Sequence, residues 1–371
     1  MSRPRPHALA QLVAATAVVA LVSAAVAGCG DAPPSPSPIE LIQRDADAVL
    51  ARVTGTESVR AVLVQQHGVP VFAQYFSATP DETWDVRSVT KCVTSTLVGI
   101  AIDRGLIPSV DATLGELLPD YSQYLTPDTA RIRLRRVLTD TANFADSPEV
   151  IAPYVTTDWV AAILEARAAR GRGVGSFQMT DQGSHILAAV VAEATGMSPL
   201  AFAREALFEP LGIDSTPGWE ERVAPGADPG RLSREYARAE VAWPADPQGI
   251  NLGSALLRLR PSDLIRFGQL FLDGGDWRGE TVVSSSWVEA ATAPEAETGQ
   301  YGSMSFGYQW WVDEDRGEFA ALGTGGTVVL VNRAKDAVAV IAAEIPLDSL
   351  TSGIRVAPAL ALAQALVDDL P

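Results

Sequence analysis

Ser88 and Lys91 stand three residues apart in Ser88-Val89-Thr90-Lys91, at the start of an apolar stretch that reads as a long helix ended by Gly105. Residues three apart on a helix share a face, so the hydroxyl and the amine come within hydrogen-bond reach. A serine hydroxyl is a weak nucleophile until a base takes its proton, and a desolvated lysine amine can be that base. The partial positive charge at a helix N-terminus helps the amine shed its own proton. Among all basic residues outside the first few positions, only Lys91 and Lys335 are lysine; the rest are arginine. Arginine holds its proton at any usable pH, whereas lysine can release it. A lysine one turn from a serine, in a chain that otherwise avoids lysine, therefore points to proton chemistry. The spacing by itself also fits an ordinary helix face.

Other chemistries are poorly supported. The three histidines are His7, His67 and His185, the two cysteines are Cys29 and Cys92, and no H-E-x-x-H or C-x-x-C spacing occurs. Metal ligation is not expected from such a set. There is no G-x-S-x-G elbow, and histidine is too scarce for a Ser-His-Asp triad. Cys92 reads as a small buried filler rather than a nucleophile. Trp310-Trp311 reads as core packing or as the rim of a cleft.

The elements that must position Ser88 and Lys91 follow from periodicity. Residues 39–53 predict an amphipathic helix. Val62-Leu63-Val64 and Val71-Phe72-Ala73 predict a hairpin turning at His67-Gly68. After the Ser88 helix come helical periods at 158–170, 182–195 (stopped by Gly196), 199–208 and 261–272. The last hundred residues change to short β-prone runs, at 306–312, 318–322, 327–332 and 337–344, and a helix from about Gly353 to Asp369 closes the chain. Strands at both ends with helices between them predict an α+β fold. One antiparallel sheet is built from both chain ends and flanked by helices, with a mainly helical lobe inserted. A ligand cleft is expected between the lobes.

The chain has 371 residues and a net charge of −17. Such an acidic surface repels phosphate backbones, so nucleic acid is not an expected partner. At the N-terminus, Arg3 and Arg5 precede an apolar run from Ala8 to Ala27 that ends in Val26-Ala27-Gly28-Cys29. A basic start, an apolar middle and small residues at the end are the layout expected of a secretory signal. With cysteine directly after the small residues, it resembles a bacterial lipoprotein signal. That resemblance implies export, acylation of Cys29, and attachment to the outer face of the bacterial cell membrane through the lipid. The expected organisation is a signal peptide at 1–28, a Pro/Ser tether at 29–38 and one domain at 39–371. Within that domain the sheet lobe is expected at about 39–86 and 300–371, and the helical lobe at about 87–299.

Asp85-Val86-Arg87-Ser88-Val89-Thr90-Lys91, followed by Leu97-Val98-Gly99-Ile100-Ala101 and Gly105-Leu106, resembles the active-site helix of the β-lactamase-related serine hydrolases. These include class C β-lactamases, D-alanyl-D-alanine carboxypeptidases, esterases and nylon-oligomer hydrolases. The blocks at 131–139, 193–196, 208–213 and 262–268 resemble the family's further motifs in the same order, and the resemblance spans about 40 to 345. It implies the β-lactamase/penicillin-binding-protein fold, Ser88 as nucleophile and Lys91 as base. It further implies acyl-enzyme hydrolysis of a small-molecule or peptide substrate without metal or cofactor.

Two motifs depart from the family pattern. Where its second motif has the tyrosine of Y-x-N or Y-x-S, the stretch Phe177-Gln178-Met179-Thr180-Asp181 places Met179, whose thioether does not carry protons usefully. Asp181, at the Asn or Ser position, would pair with Lys91 and favour the ammonium. Tyr154, Tyr121 and Tyr301 are the candidates for a substitute phenol, and each also reads as a packing residue. The third motif, K-T-G or H-x-G on an edge strand, is matched by Thr324-Gly325-Gly326. Its glycines would let a substrate approach closely, and Thr324 would hydrogen-bond a substrate carboxylate. The family's oxyanion hole would fall on the backbone N–H groups of Ser88 and Thr327. The resulting expectation is an exported hydrolase of ester, amide or β-lactam-like carbonyls. The alternative is a catalytically weak or inactive binding protein for cell-wall peptide or a protein partner.

Overall fold

In Val328 to Val331 and Ala337 to Ala343 every side chain is apolar and buried, which demands cover on both faces of the strands they form. A computed structural model describes residues 58–144, 156–169, 175–216, 218–344 and 355–371. The expected signal and tether segments with Cys29, the helix expected at 39–53, and Tyr154 lie outside these residues.

The strands that bear on the site are β1 (Val59–Gln66), β2 (Val69–Tyr75), β3 (Trp84–Asp85), β4 (Arg258–Leu259), β5 (Ala296–Gln300), β6 (Met304–Phe306), β7 (Trp311–Asp313), β8 (Glu318–Gly323), β9 (Thr327–Asn332) and β10 (Ala337–Ala343). Eight of them form one antiparallel sheet in the order β2-β1-β10-β9-β8-β7-β6-β5. The pairing of β1 with β10 joins the two ends of the chain, with Leu63 opposite Val340. Between them, β3 and β4 make a separate two-stranded ribbon.

The helices that matter for the site are α1 (Val89–Asp103), α2 (Leu134–Leu138), α3 (Trp159–Ala169), α4 (Asp181–Thr195), α5 (Pro199–Ala203), α6 (Pro261–Leu272), α7 (Ser285–Ala291) and α8 (Val356–Asp368). Period-two alternation divides the sheet's side chains between two cores. Ala61, Leu63, Val329, Val331, Val338 and Val340 face the core that includes α1 and α6. Val62, Val64, Val328, Leu330, Ala339 and Ile341 face α8 through Leu360, Ala363, Leu366 and Val367. The observed architecture is the expected α+β fold, with a large antiparallel sheet, helices on both faces and a helical block between its strands. Helix α6 falls inside that block of sequence and nevertheless lies against β1, β9 and β10.

Helix α1 is buried all round from Val89 to Ala101, as expected of a helix apolar on every face. Three of its hydroxyls are satisfied inside the molecule, while the buried Thr90 hydroxyl has no partner among the described residues. Thr94 donates to the Gly253 carbonyl at 2.9 Å, Ser95 to the Tyr308 carbonyl at 2.7 Å, and Thr96 to the Cys92 carbonyl at 2.8 Å.

The single strand expected at 306–312 is two strands. Gly307 donates its N–H to the Trp310 carbonyl at 2.8 Å, and Gln309 turns through φ 67°. This bend aims the Gln309 side chain into the interior. It also sends neighbouring tryptophans to opposite faces: Trp310 packs with Phe267, Phe271 and Phe319, and Trp311 with Phe306, Phe177 and Tyr301. Both belong to the cores.

Candidate active site

The ribbon strand β3 delivers the chain to Ser88 through a tight, strained turn. Arg87 has φ 52°, in the left-handed region, and its N–H donates to Asp85 Oδ1 at 2.8 Å. The Arg87 guanidinium Nε lies 3.2 Å from Asp85 Oδ2. Burial pushes the Asp85 carboxyl up, against the lowering pull of Arg87 and, more weakly, Arg258. The ion pair and the ribbon together hold a conformation that arginine rarely adopts.

Ser88 follows as the N-cap of α1, half-buried, and its side chain makes no capping hydrogen bond. Lys91 is the third residue of the helix, and its N–H donates to the Ser88 carbonyl at 3.0 Å. Serine and lysine therefore occupy the first turn together, as their spacing predicts. The amine is buried and held by α4: Nζ donates to the Thr180 carbonyl at 2.7 Å and to Ser184 Oγ at 3.2 Å, and lies 2.9 Å from Asp181 Oδ1. The pairing of Lys91 with Asp181 expected from the sequence is present.

Thr180 is the N-cap of α4, its hydroxyl accepting the Gly183 N–H at 3.0 Å. The segment leading into it is strapped to the end of α2. Gly175 donates to the Thr141 carbonyl at 2.9 Å and Gln178 to the Asp140 carbonyl at 2.8 Å, while the Phe177 ring lies 5.0 Å from Phe306. Met179, between them, is 39% exposed, an unusual state for so large an apolar side chain. Tyr121 packs beside Tyr124, and Tyr301 stands edge-on to Trp311 with 4.7 Å between ring centroids.

The third-motif residues lie at the hairpin between β8 and β9. Strand β8 is interior to the sheet rather than at its edge, because β7, β6 and β5 continue beyond it. The edge character expected there survives locally: β7 pairs only with Glu318 to Ala320, so Ala321 to Gly323 extend past its end. Thr324 is exposed, and Gly325 and Gly326 take φ of 92° and 96°. Thr327 is buried, pairs with Gly323, and donates from its hydroxyl to the Ala343 carbonyl at 3.1 Å. Gly323 touches the Ser88 turn. A Cβ there would lie 2.7 Å from the Val86 carbonyl oxygen and 3.1 Å from Arg87 Cβ.

Four groups at this site went unnoticed in the sequence: Asp140, Ser184, Gln309 and Gly323. Ser184 lies one turn after Asp181 on α4, so helical spacing was a usable signal for it. Its hydroxyl also donates to Gln309 Oε1 at 3.0 Å, and Gln309 Nε2 donates to the Leu138 carbonyl at 2.8 Å. Asp140 is buried at the end of α2 with φ 51°, and nothing in its local sequence announces it. Burial raises its carboxyl to about 7, with Lys91 and hydrogen bonds from Gln309 and the Thr180 N–H lowering it less. Cys92, next to Lys91, is buried with Sγ 2.9 Å from the Gln309 carbonyl oxygen, and burial raises its thiol well above the usual range. A separate cavity of about 510 Å³, lined by Leu63, Phe72, Ile265, Gln269 and Trp277, contains none of these residues.

The beta-lactamase family profile matches residues 50–350. The chain belongs to the beta-lactamase family. This beta-lactamase-family chain is 25% identical to the 6-aminohexanoate-dimer hydrolase of Paenarthrobacter ureafaciens, over 74% of its own length and 69% of the relative's. Among solved structures, a penicillin-binding protein homologue from Caulobacter crescentus superposes with a TM-score of 0.68 at 15% identity, covering 90% of this chain and 98% of the other. A class C beta-lactamase superposes at 0.66 with 14% identity, covering 91% and 98%. The fold is thus the β-lactamase/penicillin-binding-protein fold, and the family is one of hydrolases.

Proposed function

We propose that this chain is an exported serine hydrolase that forms an acyl-enzyme at Ser88. The observation that carries the reading is the placement of a half-exposed serine at the mouth of a buried helix, one turn before a buried lysine fixed by three partners. In the reaction the Ser88 hydroxyl bonds to a carbonyl carbon while its proton passes to the Lys91 amine. The carbonyl π pair moves onto oxygen, facing the N–H groups of Ser88 and Thr327. Collapse expels the amine or alcohol, which takes the proton from Lys91, and water then releases the acyl group.

The substrate class we assign is a small ester or linear amide. The hydrolase relative supports this, since its name describes hydrolysis of a 6-aminohexanoate dimer. Met179 and Thr324 argue against efficient β-lactam breakdown, because a phenol and a cation stand at those positions in the family motifs. Export and membrane attachment rest on the Arg3 to Cys29 segment. Palmitate incorporation, abolished in Cys29→Ser, tests them.

The second reading is a β-lactamase-fold binding protein for cell-wall peptide or a protein partner, favoured by the Lys91–Asp181 ion pair. A fluorophosphonate probe and a fluorescent penicillin, each incubated with the detergent-solubilised full chain, separate the two. A Ser88 adduct by peptide mapping, lost in Ser88→Ala, supports the hydrolase. No adduct with any acylating probe, beside tight peptide binding, overturns it.

A further inference from the structure

Lys91 faces two acids of different character. Asp181, at the start of α4, is 43% exposed and lies 2.9 Å from Nζ. Asp140, at the end of α2, is buried, and its Oδ2 has no hydrogen-bond partner among the described residues. A buried carboxylate with one unpartnered oxygen is costly, so its protonated form is favoured. Gln309, from the bend before β7, and the Thr180 N–H, at the start of α4, hydrogen-bond to it, and the charges of Lys91 from α1 and Asp181 from α4 act on it. Helix α4 approaches closely enough that a Cβ on Gly183 would sit 3.2 Å from Asp140 Oδ1 and 3.0 Å from Thr180 Oγ1. The carboxyl is thus held against the start of α4, the same turn whose Thr180 carbonyl and Ser184 hydroxyl hold the Lys91 amine.

We propose that Asp140 is a positioning residue whose charge governs Lys91: protonated, it leaves the amine able to take the Ser88 proton; ionised, it pins the ammonium and blocks that step. The proposal rests on the reading of Ser88 and Lys91 as nucleophile and base. It gives the site a proton-controlling group from the end of α2, where Gln178, next to Met179, is hydrogen-bonded to the Asp140 carbonyl.

The consequence follows from counting protons. As pH rises, the pair Asp140 and Lys91 releases one proton first. That loss yields either a carboxylate beside an ammonium or a neutral carboxyl beside a neutral amine, and only the second is competent. Below the Asp140 ionisation, near 7, the competent fraction climbs about tenfold per pH unit. Above it the climb stops, because the pinned and competent forms hold the same number of protons and their ratio no longer changes with pH. In Asp140→Asn no carboxylate forms and the climb continues.

Two measurements test this on the full chain. The first is the rate of Ser88 modification by a fluorophosphonate from about pH 5 to about pH 9. In that reaction the Ser88 proton passes to the neutral amine, the Oγ–P bond forms, and fluoride leaves as the P–F bond breaks. The wild type is expected to level off near pH 7, whereas Asp140→Asn keeps rising, reaching on the order of 10–100-fold above its own neutral-pH rate at the alkaline end. The second is carbon-13 NMR of the lysine Cε groups, which is tractable because only Lys91 and Lys335 are present. Lys91 is expected to show an inflection near pH 7 that disappears in Asp140→Asn. A level-off shared by both proteins, a uniform loss of rate at every pH, or a Lys91 resonance without the inflection overturns the proposal. If the inflection is present while neither protein reacts at any pH, the acylation reading falls and the coupling of Asp140 to Lys91 stands.

Discussion

The Lys91 amine and the Asp181 carboxylate are 2.9 Å apart, yet the lysine side chain is 4% exposed and the aspartate 43%. A carboxylate so placed favours the ammonium form of an amine that the protein has otherwise taken out of solvent. Family motifs place a neutral Asn or Ser at that position. The ion pair is therefore the single contact most opposed to base chemistry at Lys91.

Asp181→Asn should free the amine. Removing one partly solvated charge is expected to raise the rate of Ser88 acylation at neutral pH by about tenfold. Stability should fall modestly, since a buried ammonium loses its counterion. A stopped assay with a fluorophosphonate, alongside thermal unfolding, measures both. A loss of acylation would instead make Asp181 a working part of the base.

Met179→Tyr tests what the missing phenol is worth. Because Met179 is exposed at the end of a strapped segment, the larger ring needs no room in the core. Proton carriers contribute roughly 10²–10⁴ in rate, so ester turnover should rise by about 10². Turnover that stays at zero, with tight ligand binding, would favour the binding protein.

Gly323→Ala probes how the sheet positions the nucleophile. The added carbon meets the Val86 carbonyl at 2.7 Å, so β8 or the Ser88 turn must shift. A loss of ~1–3 kcal/mol in stability is expected from such overpacking, with acylation falling further than the folded fraction does. Denaturant unfolding and Ser88 labelling on the same preparation separate the two effects.

Asp140 should also leave a mark on stability. Its folded carboxyl titrates near 7 instead of near the ordinary 3.8. Between those values the folded chain holds a proton that the unfolded chain has released, so stability falls as pH rises through that window. The penalty is complete above about 7 and absent below the ordinary value. Asp140→Asn removes it, so the variant should melt above the wild type at pH 8 and converge with it toward about pH 4. The difference is on the order of a few kcal/mol at most. A constant offset across pH would mean that Asp140 is ionised throughout.

Much of this architecture could be read from order and periodicity. The β-prone runs at 327–332 and 337–343 are strands, the stretch from Val89 to Asp103 is a buried helix, and Pro261–Leu272 is a helix with its expected bounds. These features depend on residues within one or two turns of each other, so neighbours in sequence suffice to set them. Ser88 and Lys91 belong to this class, because one helical turn relates them wherever the helix lies.

The surroundings of the amine are of a different kind. Thr180, Ser184, Asp140 and Gln309 come from separate segments, and Gln309 meets Cys92 across 217 positions. Their meeting depends on left-handed bends at Arg87, Asp140 and Gln309, conformations these residue types do not announce, and on a sheet closed between the two chain ends. A helical period tells which side chains share a face. Which buried charge that face will meet is settled only when distant segments pack and exclude water from the same small space.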